Sequence, residues 1–283
     1  LKRKASFKGQ NLTSLSSSDL EIVLAAKLEL ASVHRDHFND IDRAILSYEE
    51  VLQVEPQNLL ALRGIEPLYM QKERWQDLPK VLEAQLEAVG TEKERIAILG
   101  KLARLFEVEF VKPNLAAERL EQILDIDPNN LDALAGLARI YRTLQRWDDV
   151  ISTFERHVAA TPDRAEKVGI YKSLGDVYAR EIKDPGRAID TYLNVTNLDE
   201  SDVEALDALA RLYEKTEDHA SSIDALERLA RLVRDPAQQV DLQYRIGRIL
   251  EDKLGDRNVA IGHYEHAVDI DPHNARLQHG DAR

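Results

Sequence analysis

The chain has 283 residues, of which 38 are basic and 51 acidic, giving a formal net charge of −13 at pH 7. Hydrophobic residues make up 43% and charged residues 31%, a mixture that is typical of amphipathic helices and argues against disorder. The negative charge disfavours nucleic acid as a partner. The absence of cysteine excludes disulfides and thiolate metal sites, and no apolar run is long enough to predict membrane insertion.

Residues 1–17 are predicted to form a basic linker or N-terminal extension, because they match no repeat of the sequence. Their basic residues are Lys2, Arg3, Lys4 and Lys8. A second hypothesis is that this segment docks on an acidic surface. The chain starts at Leu1 and its only methionine is Met70, which predicts that it is a fragment of a longer polypeptide.

A repeat governs residues 18–274, and its step is 72 residues. Equivalent residues in this step are Leu62, Leu134 and Leu206, and likewise Tyr69, Tyr141 and Tyr213. Each step divides into a 35-residue and a 37-residue unit, and each unit is predicted to contain two helices. The predicted units are 24–58, 59–95, 96–130, 131–167, 168–202, 203–239 and 240–274. Residues 275–283 are predicted to be the truncated start of a further helix, or a tail, so that the array would continue.

The unit at 131–167 shows the helical periodicity most clearly. One apolar face, with residues three and four apart, is formed by Leu134, Leu137, Ala138 and Tyr141, and a second by Val150, Ile151, Phe154 and Val158. The polar residues Thr143–Arg146 are predicted to form the turn between the helices. Pro162 is predicted to end the second helix, since proline cannot donate the next helical hydrogen bond.

The spacing of large, small and aromatic residues in these units resembles the tetratricopeptide repeat. The matching residues in this unit are Leu137, Ala138, Tyr141, Trp147, Phe154 and Pro162. The alternation of 35 and 37 residues is similar to that of long bacterial arrays of this family. The resemblance implies an all-α fold, an α-α superhelical solenoid of about seven helix pairs, in which the first helix of each pair lines a concave, protein-binding groove.

Small residues recur where helices of such a solenoid must approach closely. We expect this role for Ala103, Ala138, Gly175, Ala210 and Gly247. Trp75 and Trp147 are interpreted as packing residues at the start of the second helix of their pairs.

The resemblance also yields the candidate partner-binding residues, which are basic side chains on the groove-lining helices. They are Arg63, Lys101, Arg104, Arg139, Arg142, Lys172, Arg180, Arg211 and Arg248. Because arginine holds carboxylates in two-point contact, an acidic peptide or helix is the favoured ligand. The alternative is that these side chains pair with Asp and Glu of neighbouring helices. The Lys/Asn clamp of the chaperone-binding subclass is absent.

The sequence predicts no catalytic, metal-binding or cofactor-binding site. The pairs His34/His37 and His263/His266 have a spacing compatible with metal binding, but His34 occupies an aromatic packing position and the second pair lies on an outer helix face. There is no glycine-rich phosphate loop and no nucleophile elbow. We therefore predict no catalytic, metal or cofactor-binding residues, and a chain that is not an enzyme.

The sequence thus favours a cytoplasmic scaffold or adaptor that binds a protein or peptide in its groove, with an acidic segment as the favoured ligand. One alternative is a structural spacer in a large motility, polarity or envelope assembly, with contacts at its ends. Another is a regulatory region of a longer enzyme. The sequence does not determine the oligomeric state.

Overall fold

A computed structural model describes residues 17–271, and this part of the chain consists of helices joined by short connections, with no strand. The predicted extension at 1–17, apart from Ser17, and the predicted tail at 275–283 lie outside the described residues, as do residues 272–274. The fourteen α-helices are α1 (Ser17–Asp36), α2 (Ile41–Val54), α3 (Leu59–Gln71), α4 (Leu78–Ala88), α5 (Glu92–Val108), α6 (Pro113–Ile126), α7 (Leu131–Thr143), α8 (Trp147–Ala160), α9 (Arg164–Asp176), α10 (Pro185–Leu198), α11 (Val203–Lys215), α12 (His219–Leu232), α13 (Pro236–Ile249) and α14 (Arg257–Ile270).

The chain divides into two compact units, Leu1–Ile140 and Tyr141–Arg283. Inside each unit, helices pack mainly against the helices next to them in sequence, for example α1 on α2 and α2 on α3 in the first unit. Because the connections are short, such neighbours run antiparallel and alternate helices run parallel. Each unit is therefore built of stacked helix pairs. The prediction of an all-α solenoid of helix pairs is confirmed.

Local sequence fixes where the helices begin and end. Most begin with a side-chain cap, such as Asp163, whose carboxylate accepts a hydrogen bond from the Glu166 backbone N–H. At Asp184-Pro185 and Asp235-Pro236 the aspartate is the cap and the proline occupies the first helical position. The turn between α7 and α8 is formed by residues 144–146 of the predicted Thr143–Arg146, since Thr143 is the last residue of α7, and α8 ends before Pro162.

Two kinds of turn join the helices of a pair, and they alternate along the chain. In the pairs α3–α4, α7–α8 and α11–α12 the closing backbone bond spans five residues, as from the Arg74 N–H to the Tyr69 carbonyl. In the pairs α1–α2, α5–α6, α9–α10 and α13–α14 it spans six, as from the Lys112 N–H to the Phe106 carbonyl. The wider turn accommodates one additional residue. In the second unit it follows π-helical turns at Val177–Ile182 and Leu250–Leu254.

Small residues receive large side chains of the neighbouring helix, as predicted. A Cβ added to Gly175 would lie 2.8 Å from Cε2 of Tyr192, and one added to Gly247 would lie 2.5 Å from Cε1 of Tyr264. The predicted small residues Ala103, Ala138 and Ala210 are buried. The same close approach occurs at two glycines not singled out in the sequence, namely Gly64 against Tyr48 and Gly136 against Leu120.

The two tryptophans differ in position. Trp147 is the first residue of α8, as predicted, and is half-buried in the second unit. For Trp75 the predicted position at a helix start is wrong: this side chain is half-buried in the first unit and lies in the turn before α4, which begins at Leu78. Pro79 lies in the first turn of α4, where proline costs least, whereas α3 carries Pro67 in its interior.

Candidate functional site

The first unit contains a groove of about 540 Å³ between α5 and α7, with α6 as its floor. We call it the α5–α7 groove. It is lined by Ile96, Ala97, Gly100, Ala103, Arg104, Glu107 and Val108 of α5, Leu120 and Ile123 of α6, Asn130 before α7, and Asp132, Ala133, Gly136 and Arg139 of α7. From Ile96 to Val108 the helix advances about 18 Å, which is room for about five extended residues.

The middle of the groove is open and apolar. A Cβ added to Gly100 would meet no atom within 4 Å, so this residue faces free space. The floor residue Leu120 stands where the repeat otherwise has Tyr48, Tyr192 and Tyr264. Leucine lacks the ring and the hydroxyl of tyrosine, which leaves this floor aliphatic. The groove can therefore accept apolar side chains.

Arg104 and Arg139, both predicted as ligand residues, are brought together at one end of this groove. Arg139 forms an ion pair with Glu107, in which its Nη2 donates to Oε2 at 2.9 Å. Arg104 is exposed, and within residues 17–271 it has no hydrogen bond or ion pair. The groove thus contains one guanidinium whose donors are available to a ligand.

Most of the other predicted cations are neutralised inside the chain. Arg63 pairs with Glu94 at 2.7 Å. The pKa of the Glu94 carboxyl is lowered mainly by a hydrogen bond from the Thr91 side chain and, to a smaller extent, by Arg63. Further pairs join Lys101 to Glu66, Lys172 to Asp202 and Glu204, Arg180 to Asp176, Arg211 to Asp207, and Arg248 to Asp252. Arg142 is exposed and, in the described part of the chain, unpaired, but it does not line the α5–α7 groove.

A second groove, of about 480 Å³, lies in the second unit and brings together Lys172, Arg180 and Arg211. It also contains the carboxylates of Asp176, Glu204 and Asp207, which pair with those cations. The Tyr192 hydroxyl donates to Asp176 at 3.0 Å, and burial together with this carboxylate raises the pKa of Tyr192. Because each cation already has a carboxylate, this groove offers less to an acidic ligand than the α5–α7 groove.

Glu66, the partner of Lys101, was not identified from the sequence. Glu66 is only 8% exposed, receives a hydrogen bond from Gln85 at 2.9 Å, and accepts from Nζ of Lys101 at 2.6 Å. A signal was present, because Glu66 stands at the position that Ala138 and Ala210 occupy one and two steps later. A carboxylate at a small, buried position needs a partner.

The structure also bears on metal and membrane chemistry. Among residues 17–271, no group of three or more His, Asp or Glu side chains is arranged to hold a metal ion. His263 instead has its Nδ1 at 2.8 Å from the amide oxygen of Gln243. None of the described helices combines the length and the apolar character that crossing a bilayer requires.

Comparison with known proteins identifies repeated segments. Models of the tetratricopeptide repeat match residues 112–168, 205–240 and 240–274. A search among curated proteins gave no match.

Several solved structures are similar in fold. The C-terminal part of a TPR repeat-containing protein from Cytophaga hutchinsonii is 15% identical, with 89% of this chain and 98% of that chain covered and a TM-score of 0.50. YrrB, described as a TPR protein with an unusual peptide-binding site, is 18% identical over 70% of this chain and 96% of its own, with a TM-score of 0.46. MamA is 21% identical over 65% and 96%, with a TM-score of 0.46. Identities this low support the fold alone.

Proposed function

We propose that this chain, a member of the tetratricopeptide repeat family, is a non-catalytic scaffold whose α5–α7 groove holds a peptide segment of a partner protein. The observation that carries this proposal is the state of Arg104, which is exposed in the groove and unpaired within the described residues, whereas the neighbouring Arg139 and most other candidate cations hold carboxylates of the chain. A carboxylate of the ligand is the group that Arg104 is suited to bind. A cytoplasmic location remains a prediction from the sequence.

Selection of random short peptides by display on the purified chain tests this proposal. Enriched peptides, labelled with fluorescein, are titrated by anisotropy against the parent chain and Arg104→Glu. Charge reversal at this exposed site should raise Kd roughly tenfold, equal to about 1.4 kcal/mol. The matched control is Arg156→Glu, which reverses an exposed arginine on α8 that has no ion pair in the described part of the chain and lies outside the groove. Its affinity should equal that of the parent.

A second variant tests occupancy of the groove without changing charge. Gly100→Leu places a side chain into the open middle of the groove and replaces a helix-interior glycine with a better helix former. We expect the same peptides to lose affinity while thermal stability is kept or increased. If no peptide is enriched, or if Arg104→Glu binds like the parent, the proposed function fails and a spacer role is favoured.

A further inference from the structure

The α5–α7 groove ends at an exposed apolar patch. Val108, which lines the groove, is 58% exposed, and Val111, three residues later in the turn between α5 and α6, is 75% exposed. We call Val108 and Val111 the turn patch. Phe110 between them is half-buried and has Nζ of Lys112 at 5.7 Å from its ring centroid. Two aliphatic side chains are thus presented to solvent at this end of α5, and Val108 lies one helical turn from the unpaired Arg104.

The backbone conformation at Val111 is unfavourable for a valine side chain. Its φ is +51°, in the left-handed region that β-branched residues rarely adopt. The other described residues with positive φ are Asn39, Glu73, Gln145, Lys183, Glu217 and Gly255, all of them polar or glycine. The Val111 side chain is exposed, so no apolar contact within the chain offsets this backbone strain.

Comparison of the repeats with one another shows that the turn patch belongs to this helix pair. The residues equivalent to Val108 and Val111 in the other pairs with the wider turn are Asp36 and Asn39, Arg180 and Lys183, and Asp252 and Gly255. The core does not diverge in this way, because the equivalent residues Ala31, Ala103, Gly175 and Gly247 are all small and all buried. The pair α5–α6 therefore differs from its equivalents in having apolar residues at this surface, whereas its buried packing is the same.

We propose that the occupant of the α5–α7 groove is a peptide with an acidic residue at Arg104 and a large aliphatic or aromatic residue on the turn patch. This inference rests on the proposed function and adds the chemistry of the ligand. Arg104 and Val108 are one helical turn apart, about 6 Å, so the two residues of an extended peptide are two or three positions apart. The opposite end of the groove carries the exposed Asp132, which disfavours an acidic residue there.

The test uses the peptides enriched by display on the parent chain. They should share an acidic residue and, two or three positions away, a large apolar residue. Val108→Ser should weaken their binding roughly threefold to tenfold. In a double-mutant cycle, replacing the apolar peptide residue with alanine should cost less in Val108→Ser than in the parent chain, because the two side chains contact each other.

Val111→Gly separates a binding role from a structural one. Removing the strained side chain should raise the melting temperature by about 1–3 °C and at the same time weaken peptide binding severalfold. Lys183→Gly is the matched control, since it makes the same change at the equivalent turn of the second unit, where φ is +61°. It should raise stability and leave affinity unchanged.

The outcomes distinguish the two proposals. Peptides that lose affinity in Arg104→Glu but bind Val108→Ser and Val111→Gly as tightly as the parent would overturn the turn-patch inference and leave the groove as the interface. Enriched peptides without a large apolar residue would overturn it as well. If Arg104→Glu binds like the parent, the proposed function fails and this inference fails with it.

Discussion

Replacing Gly64 with valine is expected to lower the free energy of unfolding by about 2–3 kcal/mol. A Cβ at Gly64 would lie 2.4 Å from Cζ and 2.7 Å from the hydroxyl oxygen of Tyr48. The Tyr48 ring is buried between helices and cannot move aside without opening the contact between α2 and α3. Denaturation by urea, followed by circular dichroism, measures the loss.

Gly169→Ala is the control for this substitution. Gly169 is also inside a helix, but a Cβ added to it would meet no atom within 4 Å. The free energy of unfolding of Gly169→Ala should be higher by about 0.5–1 kcal/mol, because alanine has a higher helix propensity than glycine. If Gly64→Val were as stable as Gly169→Ala, the tyrosine contact would not limit the approach of the helices.

Lys101→Met is expected to cost about 2 kcal/mol of stability, because it leaves the Glu66 carboxylate buried without its cation. This is below the range of a fully buried pair, since the side chain of Lys101 is 51% exposed while that of Glu66 is 11% exposed. Gln85 would remain as the donor to Glu66. Chemical denaturation at neutral pH provides the measurement.

Pairing Lys101→Met with Glu66→Gln provides the matching rescue. The double variant removes the charge that lacks a partner and should recover most of the lost stability. Peptides selected on the parent chain should bind both folded variants with little change. Loss of peptide affinity with unchanged stability would instead indicate that Lys101 belongs to the ligand-binding surface.

The fold could be predicted from the sequence because its determinants are local and repeated. Apolar residues three and four apart define one face of each helix, and a recurrence at 72 residues gives independent copies of the same evidence. Trp75 was misplaced because it aligns with Trp147 at the 72-residue step. The helix that follows Trp75 begins three residues later, at Leu78, and has Pro79 in its first turn, whereas α8 begins at Trp147 itself.

The site could be predicted only in part. The resemblance to the tetratricopeptide repeat placed Arg104 and Arg139 on groove-lining helices, and both side chains line the α5–α7 groove. It does not identify the carboxylate that reaches the cation, because partners such as Arg139 and Glu107 are 32 residues apart and meet only after the helices pack. The turn patch was missed because left-handed turns usually expose polar residues.

The placement of the two tryptophans gives each compact unit its own fluorescent reporter. Trp75 lies in the first unit and Trp147 in the second, and both are half-buried, so unfolding alters the polarity around each indole. Substituting one tryptophan at a time with phenylalanine leaves a single emitter at a known place. Two denaturation curves recorded in this way report whether the units melt together or in sequence.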